Sequence, residues 1–402
     1  MLNVEQIRQA FTLLHNQPDL VFLDSAASAQ KPQLVLDAMQ QFEQTRYANI
    51  HRGLYDLSQQ ATQAYEDARH VVQRFINASQ PESVIFTRNT TEGVNLVAHA
   101  WARPHLQAGD AILISRLEHH ANIVPWQMLA AEKGLDIIVA ECTEDGQLPV
   151  SAIEAAWQPQ IKMVALTAFS NALGTQPDIS AIIQYAHAQG ARVMLDATQA
   201  VVHGQVDAQA LNADFLAFTG HKLYGPTGVG VVYIRPDLLA DMQPYQGGGD
   251  MIETVQLPTG TTFAEAPAKF EAGTPNITGA VGLAAAIKWL DQFQMVDVQA
   301  HEATLRAAAV AGLADIGGVT VYGSADARAV MSFNIDGAHN SDVATLLDAQ
   351  HIACRSGHHC CMPLMDHLDI PGTVRASFAI YNTMQDVERL VAAVAKAKKM
   401  LG

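Results

Sequence analysis

Short β-branched or apolar runs alternate along this chain with longer stretches of helical periodicity: AILIS at 111–115, IIVAE at 137–141, MVALTAFS at 163–170 and RVMLDATQA at 192–200. Such alternation predicts an α/β unit with a largely parallel sheet, because parallel neighbours need a crossover and helices supply it. The segments IVPWQMLAAEKG and ISAIIQYAHAQG predict helices closed by Gly134 and Gly190, which tolerate the left-handed conformation of a helix end. DFLAFTGHK at 214–222 and GVGVVYIR at 228–235 add two strands around a polar turn. From about Gly279 the pattern changes to a long helix through VGLAAAIKWLDQF, another over the Ala-rich stretch at 302–314, and strands near VTVYG and AVMSFNI. That predicts a second, smaller domain. The last segment, TMQDVERLVAAVAKAKKMLG, predicts a helix capped by Thr383, with basic residues suited to its C-terminal dipole. At the other end, MLNVEQIRQAFTLLHNQPDL predicts one short amphipathic helix and lacks the pattern of a signal peptide. The expected division is an N-terminal helix at 1–15 packing with the small domain, a large domain at 16–278 and a small domain at 279–402.

Composition narrows the function. With 402 residues, 49% of them apolar, the chain can bury a large core and exceeds the usual single-domain size. Lys and Arg number 24 against 40 Asp and Glu, a formal charge of -16. That balance repels nucleic-acid phosphates and anionic membranes and argues against either as a partner. A small phosphate can still be held by a few local donors. No run reaches the roughly 18 apolar residues of a membrane span, so a soluble, cytoplasmic protein is expected. The cysteines are Cys142, Cys354, Cys360 and Cys361, three of them clustered late, unlike a secreted disulfide framework. Reactive thiol chemistry suits that cluster better.

Ligands of open α/β sheets bind at the carboxyl ends of the strands, so polar residues directly after the apolar runs are the candidates. After VIF, Thr90, Thr91 and Gly93 open an apolar helix whose free N–H groups and hydroxyls could seat a phosphate; an ordinary capping box at Thr90 or Thr91 reads equally well. VMLD ends a buried strand on Asp196, a carboxylate that needs a partner, whether a protonated pyridine nitrogen or the next turn. In FTGHKLYGPTGVG, Lys222 follows Thr219 and His221 at another strand end. A desolvated lysine there could form an imine with an aldehyde cofactor.

TTEG at 90–93, EHHAN at 118–122, SN at 170–171, DATQ at 196–199, TGHK at 219–222, EAGTPN at 271–276 and RSGHHC at 355–360 occur in an order that resembles the SufS-type cysteine desulfurases. These belong to the class V aminotransferase group of fold-type I pyridoxal-phosphate enzymes. The resemblance runs from LDSAASAQKP at 23–32 through VRASFAIYNT at 374–383. It implies a large domain with a mostly parallel seven-stranded sheet, a smaller α/β C-terminal domain, and pyridoxal 5'-phosphate as cofactor. By position, Lys222 resembles the lysine that carries the cofactor, Asp196 the partner of the pyridine nitrogen and Gln199 the donor to the ring hydroxyl. His119 would lie over the ring and relay a proton. Thr91, Thr219 and His221 resemble phosphate ligands, and Thr274 the ligand that reaches in from the other subunit of a homodimer. Arg375 matches the substrate-carboxylate arginine. Arg355, Asn171 and His51 resemble further pocket residues. GGGDMI at 247–252 resembles a hairpin near the dimer-related site.

Three positions depart from the family pattern: Thr219 replaces a common serine, Ala197–Thr198 a Gly–Ala pair, and Cys361 an alanine. The thiol loop decides the reaction, since the scaffold alone also supports transamination and elimination. Two His and two Cys in four consecutive positions do not suit one tetrahedral zinc, so no metal is expected. The resemblance assigns the nucleophile to Cys360, with Cys361 a bystander or second sulfur store. It implies conversion of L-cysteine to L-alanine, a persulfide on Cys360, and delivery to a SufE- or SufU-like acceptor for iron–sulfur cluster assembly. A selenocysteine lyase, or a class V aminotransferase or β-lyase that ignores Cys360, are the rival enzymes. A silent scaffold that only binds a relay partner is countered by the presence of both Lys222 and Cys360.

Overall fold

The structure, a computed structural model, describes residues 2–401; Met1 and Gly402, at the ends of the outer expected segments, lie outside the described residues. Seven strands form the central sheet: β1 (Val84–Thr87), β2 (Ala111–Ser115), β3 (Asp136–Ala140), β4 (Ile161–Thr167), β5 (Arg192–Asp196), β6 (Phe215–Thr219) and β7 (Gly230–Ile234). Their spatial order is β1-β7-β6-β5-β4-β2-β3. β7 pairs antiparallel with β1 and β6, and the other neighbours are parallel. This is the mostly parallel seven-stranded sheet expected. Every residue of β2, β6 and β7 is buried, which is why these strands read as continuous apolar runs. Helix Val124–Lys133 crosses from β2 to β3 and ends on Gly134 at φ 69; helix Ile179–Ala188 crosses from β4 to β5 and is followed by Gly190 at φ 82. The carboxyl ends of β1, β2, β4, β5 and β6 therefore meet along one edge.

A second sheet of β8 (Val319–Tyr322), β9 (Val330–Ile335), β10 (Arg355–Gly357) and β11 (Thr373–Ser377) is antiparallel, in the order β8-β9-β11-β10. Leu305, Ala309 and Leu313 of helix Met295–Ala314 and Leu390 and Val394 of helix Met384–Leu401 pack on its Met331, Phe333 and Val374. The last helix has the expected cap: Thr383 Oγ1 accepts from Asp386 N at 3.2 Å while Asp386 Oδ2 accepts from Thr383 N at 3.0 Å. Helix Ile277–Leu290 starts earlier than the apolar pattern indicates, because Asn276 accepts the Gly279 N–H at 2.9 Å. It packs against helices Gln33–Thr45 and Asp56–Phe75. At Gly282 an added Cβ would lie 2.7 Å from Met39 Sδ, so a larger residue there would displace the Met39 side chain from the helix contact.

Where the pattern predicts one N-terminal helix, the chain forms two, Val4–Gln9 and Thr12–Asn16. Phe11 between them is extended at φ -100, ψ 91, and Ala10 O accepts from Gln33 N at 2.7 Å. The break lets the Phe11 ring meet Trp289, Tyr381 and Tyr224 edge-on. Arg8 bonds Tyr381 O and Asp386. The glycines at 247–249 precede a small hairpin, Ile252–Thr254 against Thr262–Phe263, rather than forming it. Among the described residues no helix is long and apolar enough to cross a membrane.

A buried ion pair ties the EAGTPN segment to the large sheet. Arg69 donates to both Glu271 oxygens at 2.7 and 2.9 Å, and Glu271 also accepts from Phe86 N and Tyr65 OH. Removing Glu271 leaves buried Arg69 with only the partly exposed Glu66, 2.8 Å from its Nε, and strips Phe86 N and Tyr65 OH of their acceptor, so Glu271→Ala is expected to cost about 3 kcal/mol in urea unfolding. A loss under 1 kcal/mol would show the pair to be dispensable.

Candidate active site

One cavity lies at the carboxyl edge of the large sheet and is closed by the 355–360 loop of the small sheet; Asp196, Lys222, Cys360 and Arg375 all line it. Asp196 ends β5 and is buried; Thr198 N donates to its Oδ1 at 3.0 Å. Burial pushes its pKa up, while the Thr198 hydrogen bonds and the charge of Lys222 oppose that. A carboxylate so placed calls for a cationic partner. Lys222, in the turn after β6, has its pKa lowered to about 8, by burial first, with Asp196 opposing. Gln199 lines the same floor and donates to Ala26 O at 2.9 Å.

The helix after β1 runs Thr90–Val97 and is capped by Asn89, whose Oδ1 accepts the Glu92 N–H at 2.9 Å. The cap is therefore Asn89, not Thr90 or Thr91. Asparagine is as good a cap as threonine, and only the backbone bend at Asn89 distinguishes them. Thr90's hydroxyl bonds Thr198 Oγ1 at 2.7 Å. Thr198, at one of the departures from the family pattern, thus ties the helix start to the Asp196 strand end. Thr91, Thr219 and His221 line the cavity. His221 is held neutral, its pKa lowered to about 4 by burial, then by Lys222 and Lys31. His119 also lines the cavity; burial and then Lys222 push its pKa to about 3. Its Nδ1 accepts from Ala121 N at 3.1 Å, which leaves the ring hydrogen on Nε2.

The thiol loop is clasped from two sides. His120 N donates to Cys360 O at 2.7 Å, and Cys360 N donates to His358 Nδ1 at 3.1 Å. His359 and Cys360 are both left-handed, at φ 52 and 58. Successive residues in that conformation cost energy outside glycine and need such anchoring. Asn171 donates to His359 O at 2.9 Å and accepts from Cys361 Sγ at 3.1 Å, so its amide holds the loop. Cys361 is fully buried and its pKa is raised to about 12 by that burial. Arg375, on β11, is buried; Nη1 donates to Asn171 O at 2.9 Å and Nη2 to Asp24 Oδ1 at 3.0 Å, while Nε has no partner among the described residues. Arg355 lies across the strand pair from it and reaches the same cavity.

Two candidates are not brought there within the chain. Thr274 lines a neighbouring cavity, with its hydroxyl 3.5 Å from Asn49 Oδ1. His51 lines a third, where Glu66 pairs with it at 3.3 Å and raises its pKa. Asp24 and His359 went unassigned in the sequence. VFLD at 21–24 repeats the strand-end pattern of VMLD and could have signalled Asp24. His359 carries no signal beyond the HHC motif.

This fold and this set of strand-end residues define a class: the chain belongs to the aminotransferase class-V family, whose sequence model matches residues 21–390. It is similar to the cysteine desulfurase of Klebsiella pneumoniae subsp. pneumoniae, 46% identical across 100% of this chain and 99% of the relative. It is 47% identical to the cysteine desulfurase of Yersinia pestis (strain Pestoides F) over 99% of both. Among solved structures, the Escherichia coli cysteine desulfurase CsdA superposes with a TM-score of 0.94 at 41% identity, covering 100% of both chains.

Proposed function

We propose that this protein is a pyridoxal-phosphate-dependent cysteine desulfurase that converts L-cysteine to L-alanine and passes the sulfur, through Cys360, toward iron–sulfur cluster assembly. The observation that carries the reading is one cavity shared by an amine, a buried carboxylate, a thiol and an arginine, from Lys222, Asp196, Cys360 and Arg375. The residues fit the cofactor. Asp196 is a buried acid short of a cationic partner, Lys222 is an amine poised near neutrality, and the Thr90–Val97 helix start with the Thr91 and Thr219 hydroxyls suits a phosphate. When bound, pyridoxal phosphate supplies an electron sink that acidifies the substrate α-carbon.

The chain's own groups then divide the work. Lys222 Nζ, half neutral near pH 8, takes the α-proton. Asp196 holds positive charge at the cavity floor, and Arg375 holds the substrate carboxylate. Cys360 Sγ, as thiolate, attacks the substrate sulfur: an S–S bond forms, the substrate C–S bond breaks, and its electron pair stays with the carbon that becomes the alanine methyl group on protonation. His119 carries its hydrogen on Nε2 for that delivery. Thr274, on the rim of another cavity, is read as serving the partner's site in a homodimer, and a SufE- or SufU-like thiol protein as taking the persulfide.

Incubation of the holoenzyme with L-cysteine and reductant tests this: alanine and sulfide in equal amounts are expected, whereas pyruvate and ammonia would identify an eliminating lyase. Arg375→Lys keeps the charge but loses the planar fork. It is expected to raise KM for cysteine about tenfold to a hundredfold, with a smaller change in kcat. An unchanged KM would remove Arg375 from the carboxylate site.

A further inference from the structure

We propose that His120 is a positioning residue for the sulfur-transfer step, holding the Cys360 loop against the cavity through two hydrogen bonds; the inference rests on the desulfurase reading, with Cys360 as its nucleophile. His120 opens the short turn His120–Asn122 that follows β2, between His119 and Ala121, which line the cavity. That turn is a firm base. Glu118 and Asn122, both fully buried, are bonded at 2.7 Å, and Asn122 accepts from Trp126 Nε1 at 3.1 Å. From this base His120 reaches the thiol loop twice: its backbone N donates to Cys360 O at 2.7 Å, and its ring Nε2 accepts from Met362 N at 3.1 Å, across 242 positions of sequence. His358 completes the bracket, its Nδ1 accepting from Cys360 N at 3.1 Å and its ring centre 5.5 Å from that of His120.

The loop needs such a hold. His359 and Cys360 sit in the left-handed region at φ 52 and 58, which costs energy outside glycine. The helix that follows, Met362–His367, begins at Cys361, whose side chain provides no cap. Its opening N–H groups must therefore find acceptors elsewhere. Leu364 N and Met365 N turn back to Cys361 O, Pro363 has no N–H, and Met362 N is taken by the His120 ring. One residue thus caps the helix that ends the loop and pins the carbonyl of the nucleophile. Acceptance at Nε2 requires the neutral ring, with its hydrogen on Nδ1. Burial, and then His358, lower the His120 pKa, which favours that form. Asn171 holds the buried side of the same loop at His359 and Cys361. His120 supplies the matching hold at Cys360 and Met362. A thiolate that must meet the substrate sulfur in line needs both, because small misplacements of reacting atoms slow a step steeply.

Replacing the ring while keeping the backbone N–H isolates its share. His120→Ala removes the Nε2 acceptor; in His120→Gln the amide oxygen stands where Nε2 stood and accepts from Met362 N. With holoenzymes, the single-turnover rate of persulfide formation on Cys360 is expected to fall about fivefold to tenfold in H120A. In H120Q it should stay within about twofold of the parent. The Kd for L-alanine should change less than about twofold in either variant, since the residue acts on the thiol and not on the bound amino acid. Alkylation of Cys360 by iodoacetamide, read on its peptide by mass spectrometry, should quicken in H120A alone. Persulfide formation at the parental rate in H120A, equal impairment of H120A and H120Q, an unchanged alkylation rate in H120A, or a Kd for L-alanine that rises with the loss would each overturn the proposal. A parent that forms no persulfide would sink the desulfurase reading instead, and the alkylation ranking would still test the hold on the loop.

Discussion

Lys222→Ala is expected to abolish alanine formation, lowering kcat by about four orders of magnitude, while the protein remains folded. Lys222 is a fully buried amine whose pKa sits near 8 instead of 10.5, chiefly because burial disfavours its charge. That leaves a far larger neutral fraction at about pH 7–8 than an exposed lysine has, which the proposed role as base requires. The sign of the pH dependence follows. Below about pH 8 the amine is mostly protonated and the rate falls about tenfold per unit, and above it the rate levels off. Removing Lys222 removes that limb. The fold should survive, since the variant deletes a buried charge that opposes folding. A variant with more than a tenth of parental kcat would exclude Lys222 as the base. A pH profile with the parental limb intact in the variant would assign the limb to another group.

The second large effect concerns the thiol. Cys360→Ala should lose the persulfide completely and at least about a hundredfold in sulfur transfer, yet keep cofactor and substrate binding. The proposed cofactor end is held without Cys360: Asp196 is bonded by Thr198, and the helix at Thr90 by Asn89 and Thr198. Cys361→Ala should retain the persulfide. Its thiol is fully buried, is raised to about 12, and is spent on Asn171, so it offers no thiolate. Mass spectrometry of cysteine-treated protein reads both variants by the addition of one sulfur atom. A full adduct in C360A, or none in C361A, would move the nucleophile or make the second thiol part of the relay.

Much of the architecture was legible along the chain. Strands Ala111–Ser115, Phe215–Thr219 and Gly230–Ile234 are buried on both faces and so appear as unbroken apolar runs, and the carboxyl ends of the sheet's strands show Asp196 and the Thr219–Lys222 turn to any reader of the pattern. Gly134 and Thr383 mark helix ends because the backbone geometry there is local. The N-terminal segment has the period of one helix but forms two, because Phe11 leaves helical geometry to join Trp289 and Tyr381, a contact across hundreds of residues that no local period encodes. The helix cap went to Asn89 for a related reason: three adjacent polar residues all favour the role, and the bend of the strand end selects one.

The amino-acid sequence by itself determined the chemistry available: an amine, a carboxylate, imidazoles and a thiol at strand ends and in one loop, since these are properties of residue type and local periodicity. Only the tertiary structure decided which of them share a cavity. It kept His51 and Thr274 away from that cavity within one chain, spent the Asn171 amide on the thiol loop, buried Cys361, and committed both Arg375 Nη groups to Asn171 and Asp24. Hydrogen-bond pairing and burial arise where distant segments pack, and they set whether a group is neutral, committed or free to meet a ligand.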